Sequence, residues 1–331
     1  MVHYVVTREH AYTMEPYVQG WDGLRLLFYD DLFRVPALPA GAYVFTDLER
    51  LTETQRRLVA SIWDQLAVHA SRVRLLNDPR RVLDRYELLT ELARVGWNSY
   101  RVWRPTDDLS AVRFPVFVRA EREHTGALTP LLPDAAALRR ALLRARLLGY
   151  RTAELLIVEF CDTSRADGLF RKYSAFVIGD RVLPRHLFVS GNWHLKKPDR
   201  DDPETAREQD AYLETNPHRE ALRRLFGIAG IGYGRADYST LGESLQVWEI
   251  NTNPTQLRMA ERLTEAFAAL DLPADPREEI AVSLDPALLL VAAREARARR
   301  RVLRQRELVE QALASPLAQS VRRVARMLRN P

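Results

Sequence analysis

Short apolar runs alternate with longer amphipathic stretches through residues 1–76. "HYVVT" reads as a buried strand, and "LRLLFYDDL" and "GAYVFTD" read as two more with loops between them. "LERLTETQRRLVASIWDQLAVHA" places Leu51, Leu58, Ile62 and Leu66 at helical spacing, and "SRVRLL" (Ser71–Leu76) returns to a strand. Strands alternating with a helix predict an α/β domain over residues 1–76, built on a small parallel sheet.

The pattern then changes. In "NDPRRVLDRYELLTELARVGW", Asn77 or Asp78 can cap a helix with Pro79 at its first position; Leu83, Leu88, Leu89 and Leu92 follow, and Gly96 ends it. "FPVFVRAE" predicts a strand, "EREHTGALTP" a loop, "PDAAALRRALLRARLLGY" a helix, and "ELLIVEF" a strand running into the loop "CDTSRADG". "FRKYSAFVIGDRVLPRHLFVSG" predicts two strands about a Gly-Asp turn. Helices follow at "PETAREQDAYLETN" and "HREALRRLFGIAG", then a hairpin at "GYGRADYSTLGESLQVWEIN" turning near Leu241 to Glu243. Beyond Pro254 only helical segments are predicted.

Composition narrows the class. The 331 residues are 47% hydrophobic and 28% charged, as in a globular protein. No apolar run approaches the roughly 20 residues of a membrane span. The N-terminal "MVHYVVTREHAYTM" lacks the pattern of a secretory signal, so a cytoplasmic protein is expected. Cys161 is the only cysteine, which excludes an internal disulfide and a thiolate zinc cluster. Residues 294–331 hold eleven Arg and three Glu, a net +8, so the rest of the chain, whose total is +5, carries −3. The basicity thus belongs to a tail. Leu317, Val321, Val324 and Leu328 lie at helical spacing there, with Arg322, Arg323, Arg326 and Arg329 on the remaining surface. Such a helix either packs on the body or docks on an acidic partner or an anionic membrane surface. Nucleic acid suits it least, because no aromatic residue lies within it to stack on bases.

The candidate chemistry lies in the last hairpin. "VWEINTNP" (Val247–Pro254) alternates apolar Trp248 and Ile250 with polar Glu249 and Asn251, and Asp237 on the preceding strand is roughly as far from the turn as Glu249. The three side chains can share a face. Two carboxylates and an amide oxygen suit Mg2+, which takes oxygen ligands and leaves positions for phosphate and water. An ordinary solvated hairpin face is the other reading of this spacing.

"GRADY" followed by "VWEINTNP" resembles the metal-binding end of the ATP-grasp superfamily, in particular the D-alanine–D-alanine ligases, which show Gly-Arg-x-Asp and then a strand ending Glu-x-Asn-x-x-Pro-Gly. Arg235, Asp237, Glu249, Asn251 and Pro254 fit that pattern, and the resemblance covers about residues 77–256. It implies an α/β ATP-grasp fold with an N-terminal α/β domain (1–76), a nucleotide- and metal-binding region (77–260, with a lid at about 110–158) and a basic helical C-terminal extension (261–331). It implies ATP and Mg2+ as cofactors, with Mn2+ as a substitute, and Asp237, Glu249 and Asn251 as metal ligands. Arg119 stands where the family has a phosphate-binding Lys, and His124, Thr125 and Gly126 form the tip of the phosphate-covering loop. Glu159, Phe160 and Cys161 are the adenine contacts implied by the hinge strand, with Asp162 a ribose contact. Lys172 and Arg185 match basic residues of the central strand pair, and Arg85 falls near the family's Asp-Lys at a helix start. Arg235 and Arg185 are the catalytic cations.

The activity implied is an ADP-forming carboxylate–amine ligase acting through an acyl phosphate on small-molecule or peptide substrates, in a chain that can act as a homodimer. Alternatives are an ATP-grasp kinase and a nucleotide-binding protein without ligase activity. One departure bears on the choice: Thr255 follows Pro254, where the ligases carry a Gly whose N–H helps hold the oxyanion.

Overall fold

Buried strands and amphipathic helices alternate along the N-terminal segment of the computed structural model, which describes residues 1–123, 126–200, 202–255, 260–272, 275 and 277–314. The elements of this segment are β1 (Val2–Val6), α1 (Glu15–Val18), β2 (Leu24–Phe28), α2 (Tyr29–Leu32), β3 (Ala37–Pro39), β4 (Gly41–Phe45), α3 (Glu53–Ala67), β5 (Val73–Leu76) and α4 (Arg85–Arg94). Four of the strands form the parallel sheet that the pattern predicts, in the order β2-β1-β4-β5. Every residue of β1 and of β4 is buried, which is why these strands read as continuous apolar runs. Thr52 starts α3 with a capping box to Gln55, and Leu58, Val59, Ile62 and Leu66 form its buried face.

The helix predicted from Asn77 or Asp78 begins later, at Arg85. Asp84 and Glu87 make the capping box. Asn77 is instead in the left-handed region (φ 69°). Its amide donates to the carbonyls of Phe45 and Tyr233 and accepts from the N–H groups of Gly232 and Tyr233. A side chain occupied with four backbone groups is not available as a cap.

The chain continues through β6 (Val102–Trp103), β7 (Val116–Ala120), α5 (Ala135–Leu147), β8 (Leu155–Glu159), β9 (Phe170–Ile178), β10 (Arg181–Ser190), α6 (Pro203–Thr215), α7 (Arg219–Ala229), β11 (Tyr233–Leu241), β12 (Ser244–Asn251), α8 (Ala260–Ala268), β13 (Glu279–Ala281) and α9 (Pro286–Ala314). It divides into two compact units: residues 1–101 with 161–289, and residues 102–160 with 290–331.

The larger unit adds an antiparallel sheet, β10-β9-β11-β12, to the parallel one. One core serves both: Val2, Tyr4 and Val44 cluster with Phe176, Ile178, Tyr233, Leu263 and Phe267. The segment after Pro254 is not helical throughout, because β13 pairs antiparallel with β3 through Ile280 and Leu38. Three residues are too few to show an alternating pattern, and this strand is defined by its partner. The smaller unit is a three-stranded antiparallel sheet, β6-β8-β7, with Leu138 and Ala145 of α5 packed among Val116, Val118, Leu155 and Ile157. The tail beyond residue 314, including Leu317 to Arg329, lies outside the described residues.

Candidate functional site

The β11–β12 hairpin turns at Gly242, whose φ of 59° explains the glycine there. Pairing runs regularly from Leu241↔Ser244 to Tyr238↔Val247 and then shifts by one residue, so Asp237 pairs with Glu249 and Arg235 with Asn251. Continued without the shift, the count from the turn would place Asp237 opposite Trp248. A second shift, at Pro184/His186, pairs His186 of β10 with Ser174 of β9. Ser174 in turn pairs with Asp237. His186, Ser174, Asp237 and Glu249 therefore form one row across four strands. β-Bulges re-aim side chains in this way.

The row is charged and largely shielded. Asp237 is buried; its Oδ1 accepts from Ser174 Oγ at 2.9 Å and Arg235 Nε at 3.0 Å, and Lys172 Nζ lies 3.6 Å from Oδ2. Burial alone would raise its pKa, but the Arg235 and Lys172 cations hold it below the usual carboxylate value. Glu249 Oε2 accepts from an Arg85 guanidinium nitrogen at 2.7 Å, with the two side chains only 15% and 7% exposed. Asn251 Oδ1 accepts from the Asn253 N–H at 2.8 Å and keeps a second lone pair.

Arg185 donates to His186 Nδ1 at 2.7 Å and approaches the Thr255 carbonyl at 3.4 Å. Burial pushes the His186 pKa down to about 3, so its ring is neutral, and accepting from Arg185 at Nδ1 puts the proton on Nε2. The ring stacks on Phe188 at 3.8 Å.

A buried polar network ties the end of β12 to the parallel sheet. Asn253 Oδ1 accepts from Tyr4 Oη at 2.9 Å and Thr13 Oγ1 at 2.6 Å, and Asn253 Nδ2 donates to Asp47 Oδ2 at 3.1 Å. Thr252 Oγ1 accepts from the Asp47 N–H and donates to Glu49. Asp47 has positive φ (53°) and is buried; burial first, then the neighbouring Glu49, raises its pKa against the opposing effect of Arg50.

In the smaller unit, Arg119 is buried on β7. Glu159 ends β8, where its carboxylate accepts from Arg113 N–H, Nε and a terminal guanidinium nitrogen at 3.0, 3.1 and 2.7 Å, and from Trp103 Nε1 at 3.3 Å. The Phe160 N–H donates to the Pro115 carbonyl. Gly126 has φ 89°, while His124 and Thr125 lie outside the described residues. In the larger unit, Cys161 Sγ lies 3.2 Å from Ser99 Oγ, and Asp162 accepts from the Ser164 N–H. The hairpin face thus brings together Lys172, Arg185, Arg235, Asp237, Glu249, Asn251 and Arg85.

Sequence reasoning missed Ser174, His186 and the Asn253 network. A register count from the Gly179-Asp180 turn pairs Ser174 with Arg185, and only the bulge brings His186 there.

Among the described residues, no three His, Cys, Asp or Glu side chains converge as a ready-made metal cage. Two carboxylates and an amide suit a cation that takes its other oxygens from phosphate and water. The four cations Lys172, Arg185, Arg235 and Arg85 exceed the carboxylates Asp237 and Glu249 by two charges, which suits a polyanion. The residues present therefore fit a divalent metal bound together with a polyphosphate.

No family model matches the chain, and no curated protein matches its sequence. Among solved structures it is similar to the D-alanine–D-alanine ligase of Bacillus anthracis, at 12% identity over 81% of this chain and 96% of that one, with a TM-score of 0.48. It is also similar to a RimK domain ATP-grasp protein of Sphaerobacter thermophilus, at 16% identity over 81% and 97%, TM-score 0.45. A third similar structure is the ATP-grasp ligase PsnB complexed with a minimal precursor, at 14% identity over 81% and 99%, TM-score 0.48.

Proposed function

We propose that the protein is an ATP-dependent, ADP-forming carboxylate–amine ligase of the ATP-grasp type that works with Mg2+. The observation that carries this reading is the register of the hairpin, with Asp237 opposite Glu249 and Arg235 opposite Asn251 on a face with excess positive charge. Asp237 and Glu249 would hold the metal, with Asn251 completing the protein ligands. Bound there, Mg2+ would neutralise charge on the ATP phosphates. Glu249 engages Arg85 through Oε2, and a carboxylate has two oxygens, so the Arg85 cation would remain near the metal-bound phosphates. Arg235 and Lys172, already within reach of Asp237, would offset the charge that builds on the transferred phosphoryl group. Arg119 is proposed as a contact to the α- or β-phosphate, and Arg185 as a second cation at the reacting carboxylate. The acceptor carboxylate attacks the γ-phosphorus, ADP leaves, and an amine then displaces phosphate from the acyl phosphate. The chain supplies position and charge and no covalent nucleophile.

A second reading, a kinase that stops at the phosphorylated product, is favoured by Thr255 standing after Pro254, with its carbonyl near Arg185. The basic tail is proposed as an accessory element separate from the nucleotide site. Incubating the purified chain with ATP, Mg2+ and mixed amino acids and peptides separates the readings. ADP, phosphate and a new amide by mass spectrometry support the ligase. ADP with a phosphorylated product supports the kinase. Nucleotide binding without turnover removes both.

A further inference from the structure

The solvent face of α5 combines exposed leucine with unpaired arginine. Leu138 and Ala145 are buried in the core of the smaller unit, and Ala141, Leu142 and Leu148 pack against it. At about 100° per residue, Leu143 and Leu147 fall on the opposite side, about 40° apart. They are 59% and 75% exposed. Arg139 and Arg146 lie to one side of this pair and Arg140 and Arg144 to the other, and all four are exposed. None of the four guanidinium groups has an ion-pair or hydrogen-bond partner among the described residues, and no acidic residue lies between Asp134 and Glu154.

A helix that merely needs a solvated face does not require two leucines at its centre. A helix that binds a small anion does not require them either. An apolar strip with a cationic border on each side matches the interface of an anionic bilayer. There, leucine enters the acyl boundary and arginine keeps its head among lipid phosphates and carboxylates. The charge of the unit has the same sign: its described residues within 102–160 and 290–314 hold sixteen Arg against ten Asp and Glu. α9, counted with this unit from Leu290 onward, repeats the combination, with exposed Leu290, Val291 and Val302 beside exposed Arg294, Arg297, Arg300, Arg301 and Arg304. An excess of one sign over an entire unit complements an extended anionic surface better than a short acidic peptide. Duplex nucleic acid would press leucine against solvated phosphate and find no aromatic side chain on α5 for stacking.

We propose that the outer face of α5 is a docking surface for an anionic phospholipid membrane, with Leu143 and Leu147 as the inserting residues and Arg139, Arg140, Arg144 and Arg146 as the headgroup contacts. This attachment is independent of the nucleotide chemistry proposed above. No helix among the described residues is long and apolar enough to cross a membrane.

The test is co-sedimentation of the full chain with vesicles of phosphatidylcholine alone and of phosphatidylcholine mixed with phosphatidylserine, at near-physiological salt. Binding should require phosphatidylserine. Replacing the four arginines (Arg139→Gln, Arg140→Gln, Arg144→Gln, Arg146→Gln) should weaken it by roughly five-fold per residue, on the order of several hundred-fold together. Leu143→Ser with Leu147→Ser should weaken it at least ten-fold (about 1.4 kcal/mol), while the arginines remain. These side chains are exposed, so both variants should keep the wild-type melting curve. No binding to phosphatidylserine vesicles would overturn the proposal. So would binding that both variants retain, or binding found only with polyglutamate or duplex DNA as the probe.

Discussion

Glu249→Gln should do two separable things. The Arg85–Glu249 pair spans 2.7 Å and is mostly shielded from water. Removing the charge of Glu249 leaves the largely buried Arg85 cation with less compensation. Breaking one side of a buried pair costs about 3–5 kcal/mol, and the residual exposure of Glu249 places this pair at the lower end, about 3 kcal/mol. A loss of that size lowers Tm by several degrees. Arg85→Gln should cost a similar amount, because it removes the cation that faces the Glu249 carboxylate. The double variant should recover part of the sum, with a coupling of about 2 kcal/mol, since two neutral amides can hydrogen-bond to each other. Metal-dependent nucleotide binding should behave differently. It should be lost in Glu249→Gln and stay lost in the double variant, because the ligand itself is gone. Thermal denaturation of the four proteins, with and without Mg2+ and a non-hydrolysable ATP analogue, reads both effects. A double variant that regains Mg2+-dependent stabilisation by nucleotide would refute the metal assignment. Additive stability losses would refute the ion pair as an energetic unit.

Arg119→Ala should weaken nucleotide binding by roughly 1.5–3 kcal/mol, the range for hydrogen bonds to charged groups, and unchanged affinity by calorimetry would remove Arg119 from the phosphates. Burial, opposed by a contact with the Ala40 carbonyl, lowers the pKa of His3 from 6.5 to about 4. Between those values the unfolded chain binds the extra proton, so the stability from the neutral ring is complete above pH 6.5 and is lost as pH falls toward 4, by about 3 kcal/mol in all. Urea denaturation should show this slope in the wild type and a flatter one in His3→Phe; parallel pH profiles would contradict it. Deleting residues 294–331 should leave nucleotide affinity within a few-fold, and a folded truncation that no longer binds would place the tail in the site.

The elements most legible in the sequence are those whose periodicity is set by their own burial. β1 and β4 are buried throughout, and α3 buries one face, so each announces itself locally. The hairpin carrying Asp237 and Glu249 was readable because Gly242 marks its turn. So was the shared face of the two carboxylates, from their similar distance to that turn; the one-residue bulge that sets their pairing was not, because it leaves no mark in composition. The same holds for His186, which a bulge substitutes for Arg185 in the row. Asn77 has the residue type of a cap, and only the approach of Phe45 and Tyr233 from distant segments shows that its amide is used to join strands. β13 is invisible for the related reason that β3 defines it. The interior position of Asn253 follows from Tyr4, Thr13 and Asp47, none of which is its neighbour along the chain.

The smaller unit interrupts the larger one in the chain, and this orders events during synthesis. The parallel sheet is complete when residue 76 leaves the ribosome, but the core it shares with Phe176, Tyr233 and Phe267 cannot close until some two hundred residues later in the chain. The inserted sheet of β6, β7 and β8 has all its strands once residue 159 has emerged. Nascent chains therefore pass through a stage in which all three strands of the inserted sheet have emerged while one face of the N-terminal sheet waits uncovered. It is that face, and not the basic helices, that most needs protection from premature association until translation reaches Phe267.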